Sequence, residues 1–161
     1  MTSSNSYIST GIVNASDNPG TWALQSISDG NNWYAFAALK NDGSVVTWGR
    51  SGSGGNSSVV SDKLNNGVKQ IFSSGYAYAA LKNDGSVVTW GDSYYGGDSS
   101  AVRSQINSGV EKIFSTDSLG AAFAALKNDG SVVTWGSSDH GADSSSVKTK
   151  ISSGVVDISK N

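Results

Sequence analysis

The stretch AALKNDGSVVTWG at residues 37–49 recurs without a single change at residues 79–91 and 124–136 of this 161-residue chain. The tryptophans of the three copies, Trp48, Trp90 and Trp135, are 42 and 45 residues apart. A string this long that returns at a nearly fixed spacing is the signature of a repeat architecture, in which each repeat is one supersecondary unit. The chain is therefore best analysed as three repeats.

Each copy has the pattern of a β-hairpin. The apolar run 36–39 is followed by Asn41, Asp42 and Gly43, and then by the β-branched and aromatic run 44–48. Turn residues between two such runs predict a tight hairpin. Asn-Asp-Gly also occurs in calcium loops, but the further acidic ligands that such a loop needs at alternating positions are missing. We therefore interpret it as a turn.

Both faces of the predicted hairpin are apolar. Val45 and Thr47 point to one face, and Val46 and Trp48 point to the other. A sheet with one face in water would alternate between apolar and polar residues. The pattern therefore favours sheets packed between neighbouring sheets.

A second element, G-V-x-x-I, begins 18 residues after the glycine that follows each tryptophan, at Gly67, Gly109 and Gly154. The residues between the two elements predict a loop and a short helix. In the second repeat, Asp98 or Ser99 would cap this helix and Gly109 would follow its end. Asn56 and Asp143 are the equivalents of Asp98, so we interpret these side chains as caps rather than as catalytic groups.

The predicted fold class is thus mainly β, with three propeller-blade-like repeats of about 42–45 residues, each with a hairpin and a short helix. The expected organisation is an N-terminal strand or arm over residues 1–22 and a three-repeat domain over residues 23–161. The repeats span 23–66, 67–108 and 109–153, and a closing strand spans 154–159.

Composition excludes several classes of protein. The acidic residues are 12 Asp and one Glu, which argues against a helical bundle. A net charge of −2 with only two Arg argues against nucleic acid as a partner. The chain has no Cys, and therefore no disulfide or Cys-based metal site. We expect no cofactor and no bound metal.

The sequence gives little information about location. The first 20 residues lack the basic start and apolar run of a signal peptide, and no apolar stretch is long enough to cross a membrane. We therefore expect no membrane insertion and assign no compartment. The Cys-free composition, rich in Ser, Asn, Thr and Gly, favours an extracellular or cell-surface bacterial module over a cytoplasmic one.

The combined pattern resembles the repeat of the regulator of chromosome condensation family, which reads roughly V-x-x-I, a gap, then A-L-x-x-D-G-x-V-x-x-W-G. The positions that carry the resemblance in the second repeat are Ala80, Leu81, Asp84, Gly85, Val87, Trp90 and Gly91. The resemblance implies propeller blades and no particular activity. Relatives include nucleotide exchange factors and inhibitors of β-lactamase, but no loop here matches their partner-binding loops.

Three blades are too few for a closed propeller, which has about four to eight. Family rings have seven. Three solutions stay open: association of chains, for instance two arcs in a six-bladed ring; a longer array of which this chain is a piece; or three-fold closure into a trefoil-like barrel.

No catalytic constellation is apparent in the sequence. The single histidine, His140, lies beside Ser138 and Asp139, but neighbours on a glycine-flanked loop do not supply the oriented acid and nucleophile of a triad. We therefore expect a protein that is not an enzyme.

The informative positions are those at which the repeats differ. Two sets of loops vary, one before each hairpin and one after each Trp-Gly, and loops held by a rigid scaffold commonly carry recognition. Large rings in these loops are typical of binding hot spots and sugar-stacking surfaces, although they could equally cover blade edges or an oligomer interface. The candidate binding residues are Trp33, Tyr34, Tyr76, Tyr94, Tyr95 and His140.

The sequence therefore predicts a non-enzymatic binding or structural scaffold that is completed by self-association, so that the expected partner is the chain itself. A protein or glycan ligand is compatible with the variable loops. Two alternatives stay open: a lectin-like carbohydrate-binding module with one weak site per repeat, and a subunit of an extracellular filament or surface assembly.

Overall fold

The computed structural model describes residues 34–116 and 120–159. The predicted arm at 1–22 and the first residues of the first repeat, 23–33, lie outside the described residues, and the candidate Trp33 is among them. No helix in the described part of the chain is both long and apolar enough to pass through a membrane.

The described residues form eight strands in three antiparallel sheets, which we call the first, second and third blades. The first blade contains β1 and β2, the second contains β3, β4 and β5, and the third contains β6, β7 and β8. Their bounds are β1 Ala35–Leu39, β2 Val45–Gly49, β3 Val68–Ser74, β4 Ala77–Lys82, β5 Val87–Gly91, β6 Val110–Ser115, β7 Ala122–Lys127 and β8 Val132–Gly136. The mainly β fold with blade-like repeats is confirmed.

The Asn-Asp-Gly segments are tight turns, as predicted. In the first blade Gly43 has φ +77° and donates its N–H to Lys40 O, while Lys40 N–H bonds to Ser44 O. Asp42 Oδ1 accepts hydrogen bonds from both the amide and the hydroxyl of Ser44, at 2.9 and 2.6 Å. The same bonds recur at Asp84 and Asp129, so each turn is held by its own residues.

The predicted short helix is present as a single 3-10 turn in each repeat, at Ser58–Val60, Ser100–Val102 and Ser145–Val147. Only the first continues, into a four-residue helix α1 at Ser61–Leu64. The predicted caps are confirmed in part: Asn56, Asp98 and Asp143 each accept the amide N–H two residues ahead, from one position before the N-cap Ser, whose own side chain makes no cap hydrogen bond. These side chains are thus engaged in local structure.

A second contact, which the sequence did not suggest, fastens each hairpin to its 3-10 turn. The hydroxyl of the Thr that precedes each Trp lies 2.9–3.0 Å from a Ser hydroxyl ten residues ahead. The pairs are Thr47 with Ser57, Thr89 with Ser99, and Thr134 with Ser144. Hairpin and turn therefore form one unit in every repeat.

The blades stack face to face. We call the face with the paired aromatic rings the front, and the opposite face, rich in Ala and Leu, the rear. The rear of the first blade packs on the front of the second in one core cluster that includes Ala37, Tyr78 and Trp90. The rear of the second packs on the front of the third in another, with Ala79 and Trp135. The second blade is therefore buried on both faces, as the apolar pattern predicted.

Among the described residues, one of the three open alternatives and one expected strand are not found. The front of the first blade has no neighbour and is exposed, so the three blades do not close into a three-fold barrel. Residues 154–159 are not a strand, because no partner strand pairs with them. Their link to the third blade is the bond from Val155 N–H to Gly130 O, with an ion pair between Asp157 and Lys112.

Candidate functional site

The two sets of variable loops meet at one end of the blade stack. Because paired strands run antiparallel, the residues before each hairpin lie beside the residues after its Trp-Gly. Backbone bonds mark this junction in each blade: Arg50 N–H to Tyr34 O, Asp92 N–H to Tyr76 O, and Ser137 N–H to Ala121 O. Side chains from different blades are therefore brought together at this end.

Five candidate residues form a continuous line of rings, which we call the aromatic row. Tyr34 stacks on Tyr76, with ring centroids 5.5 Å apart and an interplanar angle of 15°. Tyr76 meets Tyr95 edge to face at 4.4 Å, and Tyr95 meets Tyr94 at 5.4 Å. Tyr94 ends the line against the ring of His140 at 6.5 Å. The row thus crosses all three blades.

The rings of the row differ in exposure. Tyr34 and Tyr94 are about half exposed, at 48% and 51% of their surface. Tyr76 and Tyr95 are half-buried, and Tyr95 packs against the core between the second and third blades. Tyr76 and Tyr95 therefore lie partly shielded from solvent, while Tyr34 and Tyr94 keep about half of their surface in solvent.

Charged groups flank the row. The Arg50 guanidinium lies 5.4 Å from the centre of the Tyr34 ring, within the range of a cation–π contact. Shielding from water, followed by the nearby Tyr34, raises the pKa of the Tyr76 hydroxyl above its usual value, so it stays neutral and can donate a hydrogen bond at physiological pH. Beside these groups is a surface cavity of about 290 Å³, lined by Arg50, Gly52, Ser53, Tyr76, Asp92 and Tyr95.

Sequence reasoning missed Arg50 and Asp92 as parts of this site. Both residues directly follow Trp-Gly, and Ser137 holds the same position in the third repeat. Asp92 Oδ1 accepts the amide N–H of Tyr94 at 2.9 Å, which fixes the loop that carries Tyr94 and Tyr95. The signal that could have found them is the change from Arg to Asp to Ser at one position of otherwise identical strings.

His140 has a structural contact. Its Nδ1 lies 3.1 Å from Ser137 Oγ, and its amide N–H bonds to Ser137 O, which closes a short turn. Ser137 is 3% exposed, so its hydroxyl is not open to a substrate. Within residues 34–116 and 120–159, no group of three or more His, Cys, Asp or Glu side chains is arranged to hold a metal ion.

Stacked antiparallel blades with variable loops at one end define the class of propeller-type repeat proteins. Residues 68–96, which span the second blade, match the family model described as the regulator of chromosome condensation (RCC1) repeat. The chain thus carries RCC1-like repeats, and the resemblance found in its motifs is confirmed. Propeller repeats of this type are typical of interaction modules.

Comparison with solved structures finds similarity to yeast RCC1 (Prp20) in its crystal structure with Kap60, at 16% identity and a TM-score of 0.47. The similarity covers 74% of this chain and 31% of that protein, so the chain spans less than a third of its length. No curated protein sequence matches the chain.

Proposed function

We propose that this chain is a non-enzymatic interaction module whose recognition surface is the aromatic row, and that its blade stack is completed by self-association. The observation that carries the proposal is the meeting of five rings from separate loops on three blades in one line. Their positions are fixed by sheets whose own sequences are nearly identical. The hairpin strings are invariant, whereas the loops that carry these rings differ from repeat to repeat, as is typical of recognition loops on a rigid scaffold.

A protein partner suits this surface best. Tyrosine supplies large contact area with few rotatable bonds and is enriched in binding hot spots. Tyr34, at one end of the row, and Tyr94, next to His140 at the other, expose ring surface, and between them the cavity beside Tyr76 brings Arg50 and Asp92 within reach of one ligand. An extended peptide segment could place an apolar side chain on each exposed ring and a polar group in the cavity.

A glycan is the second candidate, because the stacked pair Tyr34 and Tyr76 beside Arg50 and Asp92 combines ring faces with polar groups, as sugar-binding sites do. The row is one composite site whose parts differ from blade to blade. It therefore does not support a lectin with one equivalent site per repeat, which is the form in which repetition would supply avidity.

The test is selection of a displayed random-peptide library on the wild-type protein, followed by binding measurements on Tyr94→Ala and on the matched control Tyr94→Phe. We expect selected peptides to bind Tyr94→Ala at least tenfold more weakly, and Tyr94→Phe almost as well as wild type, because the ring is retained. Tyr94 is half exposed, so neither change should unfold the protein.

A glycan array probed with the same three proteins separates the two candidates. If glycans bind in a way that depends on the Tyr94 ring and no peptide does, the aromatic row is a composite glycan-binding site. If neither library yields a ligand that depends on Tyr94, the aromatic row is not the recognition surface.

A further inference from the structure

The front of the first blade differs from the fronts of the other two. Phe36, Val46 and Trp48 are each 50–53% exposed. Their equivalents in the second and third blades are buried, with at most 7% of their surface exposed: Tyr78, Val88 and Trp90, and Phe123, Val133 and Trp135. The stacked ring pair itself is the same, at 5.2–5.3 Å in all three blades. The front of the first blade therefore has the residues of a blade-to-blade contact but is exposed to solvent.

The chain contains two contacts between blades, first with second and second with third, which we call the two joints. They show what a front face binds. Trp90 Nε1 donates a hydrogen bond to Gly54 O of the preceding repeat at 3.0 Å. Trp135 Nε1 donates to Gly96 O at 3.2 Å. The neighbouring rings of Tyr78 and Phe123 lie so close to these glycines that a Cβ at either position would collide with them. Each joint thus consists of a ring pair closing over one glycine.

The third repeat has Gly141 at the position of Gly54 and Gly96, but among the described residues no aromatic ring packs against it. Gly141 has φ 100° and ψ 3°, close to the values of Gly54 and Gly96, so its carbonyl is held in the same way. No atom of the described part lies within 4 Å of the place of a Cβ at Gly141. Ala124 and Ile151 on this rear face are half-buried, whereas their equivalents in the other repeats are buried.

We propose that the front of the first blade docks on the rear of the third blade of a second copy of this chain. In this contact Trp48 Nε1 donates to Gly141 O of the other copy, and the Phe36 ring closes over Gly141. The occupant is a second copy because the chain carries both halves of a joint that it already makes twice within itself. The inference deepens the proposed self-association and rests on it.

The chemistry of the two faces is compatible. The strand positions of the front face hold Phe36, Ala38, Val46 and Trp48. Those of the rear face hold Ala122, Ala124, Leu126, Val132 and Thr134, so no charged side chain occupies these strand positions on either face. Burying exposed aromatic and aliphatic surface drives the association, while the Trp48 hydrogen bond sets its register. Among the described residues Trp48 Nε1 has no acceptor within its own chain.

A front-to-rear contact joins two different surfaces, and such contacts give a ring when the rotation closes and an open chain when it does not. Two copies of three blades joined at both ends make six blades, within the range of known propellers. Native mass spectrometry of the wild-type protein should therefore show a dimer. A ladder of larger species would be the same joint in its open form, which is the filament alternative.

The decisive experiment uses one variant for each face. Val46→Asp puts a charge on the front and Ala124→Asp puts one on the rear. Val59→Asp, in the 3-10 turn of the first repeat at a site 96% exposed and outside the strands of both faces, is the matched control. We expect each face variant to be monomeric, with association weakened at least 100-fold, and the control to behave as wild type. Circular dichroism and thermal melting verify that all three are folded.

Mixing the two face variants tests the direction of the contact. Val46→Asp keeps an intact rear and Ala124→Asp keeps an intact front, so an equimolar mixture should regain a dimer with a single joint. This rescue also shows that each variant is folded at its unmutated face. A contact of front with front would instead leave Ala124→Asp dimeric and give no rescue, which would overturn the proposal.

The experiments distinguish a failure of self-association as a whole from a failure of the front-to-rear interface alone. A wild-type protein that stays monomeric at all concentrations contradicts self-association as a whole, and with it this interface. Wild-type association that survives Val46→Asp contradicts only the interface proposed here. Ligand binding at the aromatic row is measured separately, with the variants Tyr94→Ala and Tyr94→Phe.

Discussion

The hairpins β1–β2 and β4–β5 contain the same thirteen residues in sequence and pair in the same register, yet they lie in different environments. Trp90 is 4% exposed and hydrogen-bonded, whereas Trp48 is half exposed. The turns are indistinguishable: both have a glycine at φ +77° and an Asp that accepts from the following Ser. The residues of the string determine the hairpin, and the neighbouring blade determines whether its front face is buried.

The largest expected effect is on the tryptophans. Trp90→Ala should lower the free energy of unfolding by about 3–5 kcal/mol, because it leaves a cavity between blades and an unpaired carbonyl at Gly54. Trp48→Ala should cost about 1 kcal/mol or less, since half of the ring already lies in water. Urea unfolding, at concentrations too low for association, measures both. Equal losses would mean that Trp48 is packed within the monomer.

A smaller effect on stability is expected from the hydroxyl by which Tyr78, on the front of the second blade, differs from its equivalent Phe36 in the first. Tyr78 Oη donates to Ala35 O at 2.6 Å across the first joint, and burial raises the pKa of this phenol, so it stays protonated. Tyr78→Phe should cost about 1 kcal/mol, the typical contribution of one hydrogen bond. The converse change, Phe36→Tyr, should leave the stability of the monomer unchanged. Thermal unfolding of the two variants checks the pair, and a loss in Phe36→Tyr would contradict an open front face.

The smallest effect concerns the turns, where the two hairpins should behave alike. The Ser44 hydroxyl and amide, and then Lys40, hold the pKa of Asp42 at about 2, and the corresponding Ser86 contacts lower the pKa of Asp84. The unfolded chain takes up these protons near pH 4, before the folded chain does, so stability falls as the pH drops from about 4 towards 2.

Melting temperatures measured between pH 5 and pH 2 test this directly. Asp42→Asn and Asp84→Asn should each flatten the acid limb of the curve, and Asp42→Asn should do so more because Lys40 also contacts Asp42. An effect confined to the second blade would show that the turn depends on the neighbouring sheet rather than on its own residues.

The elements that sequence predicted well are those made by residues close together in the chain. The turns and the Asn and Asp caps depend on contacts two to four residues apart, and the strands pair between residues at most 17 apart, as in Val110 with Lys127, a range that motifs describe. The bonds between Thr and Ser ten residues apart were missed, because no propensity marks a hydroxyl that must find another hydroxyl across a loop.

The sequence predicted the candidate site residues as a set and not as an arrangement. Variation between repeats pointed to Tyr34, Tyr76, Tyr94 and Tyr95, but their order and the cavity beside Arg50 depend on which blade ends lie side by side. Trp33, the sixth candidate, lies outside the described residues. Arg50 was overlooked because a charged residue in a loop has no distinctive pattern until its neighbours are placed.

The sequence by itself determined the repeat, the hairpin of each repeat and the apolar character of both hairpin faces, because each is a consequence of local backbone preference and period-two patterning. Only the tertiary structure decided which of the identical faces are covered. Burial depends on partners distant in the chain, and a string of residues carries no record of its own neighbours. The same Val-Val-Thr-Trp run therefore lies within a core in two blades and at an open surface in the first.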